Sequence, residues 1–414
     1  MRFATHLSAM LILAPCCAHA QEALRNSLAG DAAAAAQRNQ QMAQPYTIKS
    51  GDFKLLIAPS VGLDWNDNVY LARDNAEDDF ILSPTLALNA SYPLTGYNLL
   101  NLSVACGYNK YLNHSELSRF DVQSGSALSF DLYVKDLWIN VHDRVSYSQD
   151  SATSAAIANT GEYGTFQNTS GLSGTWDLED VTLTLGYDHQ IYRTTTTQFD
   201  YTDNSGESIL ARAGLKVHPK LTLGVEGTVS LTSYDQKVLN DNTGYSGGVY
   251  GDWRPGSYLS VRPRFGYSLY DFHQTSLFVK ASNESSWYVD LTLSHQATDF
   301  MSYSLSAGHE LTLGIQADSI EDWYFRPNIT WTVIKDVGLD TSFFFEQGKQ
   351  GSGKVAGFSE ENFDQYGGSL SLSCSPIKRL QVSLNYRLTL RSSDVASREY
   401  AQNMVGIRVS YAPQ

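Results

Sequence analysis

The chain has 414 residues, 42% of them hydrophobic and 12% aromatic, with 31 glycines and a mean hydropathy of -0.26. Its 29 Lys+Arg against 43 Asp+Glu give a net charge of -14, which argues against nucleic acid as a partner because phosphate recognition needs a basic surface. Beyond the N-terminus no apolar run approaches the roughly 20 residues of a spanning helix, so a helical membrane protein is excluded.

Residues 1–20 join a basic Arg2 to an apolar stretch from Leu7 to Ala18 and the small-residue end Ala18-His19-Ala20. That is the pattern of a secretory signal cut before Gln21. Pro15 and Cys16 are poor residues ahead of a lipidated cysteine, so Cys16 and Cys17 are read as part of the signal. Residues 21–50 are rich in Ala, Gln and Asn and include the run Ala32–Ala36. They read as a periplasmic arm, a short helix or disordered, too short for a plug domain.

From residue 51 to 414 the chain repeats one unit. Short polar turns recur at Thr95-Gly96, Lys135-Asp136, Glu179-Asp180, Pro219-Lys220, Pro255-Gly256, Thr298-Asp299, Lys335-Asp336 and Lys378-Arg379, each flanked by apolar/polar alternation. Alternation at period two places successive side chains on opposite faces of a strand. After Pro219-Lys220, Leu221, Leu223, Val225, Val229 and Leu231 alternate with Thr222, Gly224, Glu226, Thr228 and Ser230. Strands on both sides of each turn, with one more at each end, are predicted at 52–66, 79–93, 98–112, 119–134, 137–149, 163–178, 181–194, 207–218 and 221–235. They continue at 244–254, 257–272, 285–296, 300–314, 322–334, 337–347, 362–375, 380–392 and 399–412.

Eighteen strands, joined alternately by short turns and long loops, describe an all-β transmembrane antiparallel barrel of the outer membrane with its short turns in the periplasm. Globular strands average about five or six residues, whereas these are long enough to cross a tilted bilayer. Closing the sheet leaves no unpaired edge in lipid. Aromatic residues near strand ends, including Tyr108, Tyr187, Trp253, Trp287, Trp323 and Trp331, suit interfacial girdles. The apolar phase turns Leu223, Val225, Leu291, Leu293, Leu384 and Val405 towards lipid. The polar phase turns Arg212, Arg262, Arg264, Arg387 and Arg408 inwards, with Tyr250, Tyr258 and Tyr288, as the wall of a polar lumen. Those arginines could pair with acidic residues of the same phase as a structural charge network or hold carboxylates or sugar oxygens, and those rings could pack against neighbouring side chains or stack on sugars.

No catalytic or metal-binding residues and no cofactor are assigned. The histidines His114, His142, His189, His218, His273, His295 and His309 are scattered singly, and no Gly-x-Ser-x-Gly elbow occurs. Cys106 and Cys374 fall on strands far apart around the barrel, so no disulfide is expected.

Turn-plus-strand units such as Leu178-Glu179-Asp180-Val181-Thr182-Leu183-Thr184-Leu185-Gly186-Tyr187 and Ile377-Lys378-Arg379-Leu380-Gln381-Val382 resemble the putative beta-barrel porin type 2 family. So does the opening Ile57-Ala58-Pro59-Ser60-Val61-Gly62-Leu63-Asp64-Trp65-Asn66-Asp67. The resemblance runs from about Gly51 to Tyr411, and it implies an exopolysaccharide-export porin working with periplasmic and inner-membrane synthesis machinery. Outer-membrane lipid and lipopolysaccharide are the expected surroundings. A general or substrate-selective diffusion porin for small polar solutes and a structural or adhesive barrel with a closed lumen are the competing readings.

Overall fold

The computed structural model describes residues 46–95, 97–148, 160, 163–278, 280–315, 318–350 and 360–411. The signal segment and the arm up to residue 45 lie outside the described residues.

Among the described residues nineteen strands form one sheet. They are β1 (Ile48–Ser50), β2 (Phe53–Asn66), β3 (Asp79–Pro93), β4 (Leu99–Tyr111), β5 (Arg119–Val134), β6 (Leu137–Ser148) and β7 (Thr165–Leu178). Next come β8 (Val181–Thr194), β9 (Asn204–His218), β10 (Leu221–Tyr234), β11 (Asn242–Trp253), β12 (Leu259–Phe272) and β13 (Glu284–Thr298). The last are β14 (Met301–Leu313), β15 (Ser319–Ile334), β16 (Val337–Gln350), β17 (Glu361–Ile377), β18 (Leu380–Ser393) and β19 (Tyr400–Tyr411). Each strand from β2 onwards pairs antiparallel with the next, and β19 returns to β2 through Met404↔Asn66 to Ser410↔Ser60. The eighteen long strands therefore close into a barrel.

Two expectations are corrected. The end of the arm is neither helical nor free of structure: β1 pairs with β2 through Ile48↔Leu55 and Ser50↔Phe53, and the Ile57 amide donates to Thr47 Oγ1 at 3.0 Å. It covers part of the β2 edge that β19 leaves open below Ser60, where lone backbone groups would lack partners. Several strands also extend further towards the long loops than their alternation suggests, β9 starting at Asn204 and β15 at Ser319. Above the lipid the apolar signal fades while the backbone ladder continues.

The short turns are tight enough to force four ordinary residues into the left-handed region: Lys135 (φ 54°), Glu179 (φ 64°), Asp336 (φ 66°) and Arg379 (φ 73°). Outside the barrel an apolar band stands bare, with Val225 57%, Leu384 56%, Leu223 48% and Val405 42% exposed, and Leu291 and Leu293 half-exposed. Cys106 on β4 and Cys374 on β17 are free thiols.

Candidate functional site

Strand periodicity carries the interior. On β10, Val225 points outwards and Glu226 inwards, and Glu226 is 7% exposed. Register places it opposite Arg212 on β9 and Gly248 on β11. Arg212 donates to Glu226 Oε2 from Nε (3.1 Å) and Nη2 (3.0 Å). Arg264 on β12 reaches Oε1 at 2.8 Å, and the Tyr288 hydroxyl on β13 donates to the same oxygen at 3.0 Å. One carboxylate thus gathers three of the residues that sequence placed in the lumen, from three other strands.

The wall repeats this construction. Arg326 on β15 donates to Glu346 on β16 at 3.0 Å, and Tyr324 donates to Asp290 at 2.6 Å. Arg262 lies 3.7 Å from Asp252, which Arg254 holds by two bonds. On the far side, Arg387 of β18 meets Gln402 and Met404 on β19. A methyl added at Gly62 would touch both the Arg408 guanidinium (3.4 Å) and the Asp64 carboxylate (3.5 Å), which places that pair together on β19 and β2. His142 is engaged at both ring nitrogens, by Asn140 (2.9 Å) and Asp188 (2.8 Å). Those two contacts tie it into the wall.

Two of the three tyrosines pack against neighbouring strands. Tyr288 is 9% exposed: its ring lies against Gly266, where an added Cβ would come within 2.5 Å of it, and beside the Arg264 guanidinium (5.6 Å). Tyr250 lies against Gly224 in the same way, with Arg212 at 4.5 Å. Aromatic cover of a strand glycine restores the packing that a missing side chain forfeits, so the Tyr288 ring presents no free face to a sugar. Tyr258 is on no strand; it sits in the β11–β12 turn, 64% exposed, because β12 starts one residue later at Leu259.

At the long-loop end described residues from connections far apart around the barrel pack together. Tyr163, ahead of β7, and Phe199, between β8 and β9, form a buried cluster with Ile315 of the β14–β15 connection and Ile320 at the start of β15. Tyr234 and Leu239 form a second, and Tyr201 packs against both. Burial pushes the Tyr201 hydroxyl up to about 12 and raises the Asp318 carboxyl above its ordinary range. Beside β2 and β4, His114 Nε2 lies 2.8 Å from Glu77 and its Nδ1 3.1 Å from Asp79; the Glu77 contact first, then Asp79, raises the His114 pKa. Strand periodicity says nothing about these loops. The missed signal was apolar Leu117, Phe199, Leu239 and Ile315 in otherwise polar segments.

A closed barrel with a charged interior and an apolar exterior is the geometry of a membrane pore, and the family model for "Putative beta-barrel porin 2" matches residues 43–253, just over half of the chain. The chain belongs to this family. This porin is an outer-membrane β-barrel, a channel in its fold and kinship. No curated protein matches it. Similar solved structures include Pseudomonas aeruginosa OpdL, with 14% identity, 87% of this chain and 99% of that one covered and a TM-score of 0.46. Pseudomonas aeruginosa OccK5 (OpdH) gives 12%, 87%, 98% and 0.49, and Acinetobacter baumannii OccAB3 gives 10%, 87%, 99% and 0.46.

Proposed function

We propose that this porin passes an exopolysaccharide across the outer membrane, receiving it from periplasmic and inner-membrane synthesis machinery. The observation that carries the reading is the arginine-bearing wall: Arg212 and Arg264 flank Glu226 on one side of the lumen, and Arg387 and Arg408 stand on β18 and β19 on the other. Fixed guanidinium forks offer many exchangeable donors to carboxylates and vicinal oxygens, which suits a sliding polymer better than one tight site. Sugar stacking on Tyr250 and Tyr288 forms no part of the proposal, since both rings lie against the wall.

A substrate-selective diffusion porin is the second reading, favoured by the mouth, where the Tyr163–Phe199–Ile315–Ile320 cluster narrows the way for anything as bulky as a polymer. Deleting the gene separates them. Export predicts that surface polysaccharide disappears while its synthesis continues and intermediates collect in the periplasm. Normal surface polysaccharide in the deletion strain, together with uptake of small polar solutes that depends on the gene, would establish the diffusion porin instead.

A further inference from the structure

Two rows of outward tryptophans mark the membrane interfaces on the barrel wall. Trp253 and Trp331 stand two and four residues from the short turns at Pro255 and Lys335, and Trp287 and Trp323 stand twelve residues from those at Asp299 and Lys335. Asp143 on β6 lies seven residues above Asp136, midway between the rows. Register sets it between Leu128 on β5 and Ser170 on β7. Leu128 is 47% exposed and Asp143 is itself exposed, whereas Asn140 and His142 are buried on the inner face. Among the described residues no other carboxylate stands in the outward phase between the two rows.

Lipid solvates no carboxylate, so an exposed one at this depth marks a surface that something polar covers. Only half of it is satisfied from within the chain. Oδ1 accepts from Asn168 Nδ2 at 2.6 Å and from Ser170 Oγ at 3.0 Å, while Oδ2 accepts from no described residue. The wall beside it is equally unsuited to lipid. Residues 123–125 of β5 bulge out of the β6 ladder, where Val122↔Tyr147 is followed by Ser126↔Val145, and Gly125 takes φ 97°. Ser124 and Gly125 are exposed there, and irregular backbone at membrane depth is tolerated only under cover of protein or cavity water.

The same face carries the complement of Asp143. His189 on β8 pairs with Ser170 from the other side, with 37% of its side chain exposed. Glu207 engages its Nδ1 at 2.8 Å, and Nε2 meets no described residue. β6 and β8 flank β7, one on each side. A two-fold axis normal to the membrane and grazing β7 therefore sets Asp143 of one copy beside the partner's His189, and does so twice. His189 lies nine residues above Asp180, so the two groups differ in height by two residues. That is about 5 Å at the tilt of a barrel strand, within the reach of the two side chains. One proton suffices for the hydrogen bond, whichever of Oδ2 and Nε2 carries it. Ser170 and Leu172 sit at the axis, and Val141, Tyr187 and Leu185 supply exposed apolar surface around it.

We propose that this porin is a two-fold dimer, joined across β6, β7 and β8 by reciprocal Asp143–His189 hydrogen bonds. Lipid tails are as apolar as leucine, so hydrogen bonds and close packing hold barrels together where the hydrophobic effect cannot. A second copy is the occupant because the face carries acceptor and donor symmetrically about one strand, the self-complementarity of an isologous contact. The dimer is independent of which solute crosses the lumen.

The test is disulfide formation across the axis in outer membranes, in a chain carrying Cys106→Ala and Cys374→Ala, each variant checked for the heat-modifiable gel mobility of a folded barrel. Ser170→Cys should give a band of twice the chain mass, and Leu293→Cys, facing lipid on β13, should not. Adding Asp143→Leu or His189→Leu to Ser170→Cys should lower the linked fraction about tenfold, the worth of two hydrogen bonds in a membrane. Co-expressing these two variants rebuilds one of the two pairs and should recover part of the band. No dimer band from Ser170→Cys, bands of equal strength from Ser170→Cys and Leu293→Cys, or a cross-link to a protein of different mass would each overturn the dimer. So would a band that Asp143→Leu leaves unchanged; should that variant not fold, His189→Leu decides in its place.

Discussion

Glu226 accepts hydrogen bonds from Arg212, Arg264 and Tyr288 with a side chain 3% exposed, while the two arginines are 17% and 19% exposed. Removing one partner of a buried pair typically costs about 3–5 kcal/mol, and water in the lumen will screen part of that. Glu226→Gln should therefore destabilise the barrel by about 2 kcal/mol, read from its urea midpoint in detergent, and shift reversal potentials towards anions because two guanidinium charges lose their counter-charge. An unchanged reversal potential would mean that this cluster lies off the conduction path. At His114 the sign follows from the raised pKa. Its pairing with Glu77 and Asp79 stabilises the contact between the 67–78 and 112–118 loops fully below the ordinary 6.5, and the contribution is lost as pH rises through the raised value. Hydrogen exchange at 112–118, corrected for intrinsic rate, should show protection falling over that window in the native protein, with no such step in His114→Ala.

Along a strand the decisive quantity is phase, because a slip of one residue exchanges lipid and lumen for every side chain. Val225 faces out at 57% exposure, whereas Ser304 on β14 lies in the inward phase opposite Ser294 and Asn328. An arginine facing lipid near the midplane costs about 2–4 kcal/mol, so Val225→Arg should lose that much folding free energy. Ser304→Arg should fold nearly as the parent does and alter conductance instead. Equal penalties at the two sites would mean that the faces are exchanged.

For the molecule as a whole, short turns at one end and packed loops at the other set the orientation, because outer-membrane barrels keep their short turns in the periplasm. An epitope inserted after Asn283, exposed between β12 and β13, should be labelled on intact cells. One inserted after Pro219 should be labelled only after the outer membrane is permeabilised. Labelling of the Pro219 insertion on intact cells would invert the barrel.

The strand count, the order of pairing and the two faces were legible in the chain itself, because turn chemistry and period-two alternation are local properties that repeat in every hairpin, as at Leu221–Leu231. Even the mixture of Arg212, Glu226 and Arg264 on the inner face could be read that way. What tertiary structure decided were contacts between strands distant in sequence: one carboxylate shared by Arg212, Arg264 and Tyr288, the tyrosines laid against glycines of neighbouring strands, and β1 covering the closing seam. The same holds for the mouth. Ile315 and Phe199 carry no periodic signal, and only closure of the barrel brings them together, where burial of their apolar surface holds the loops.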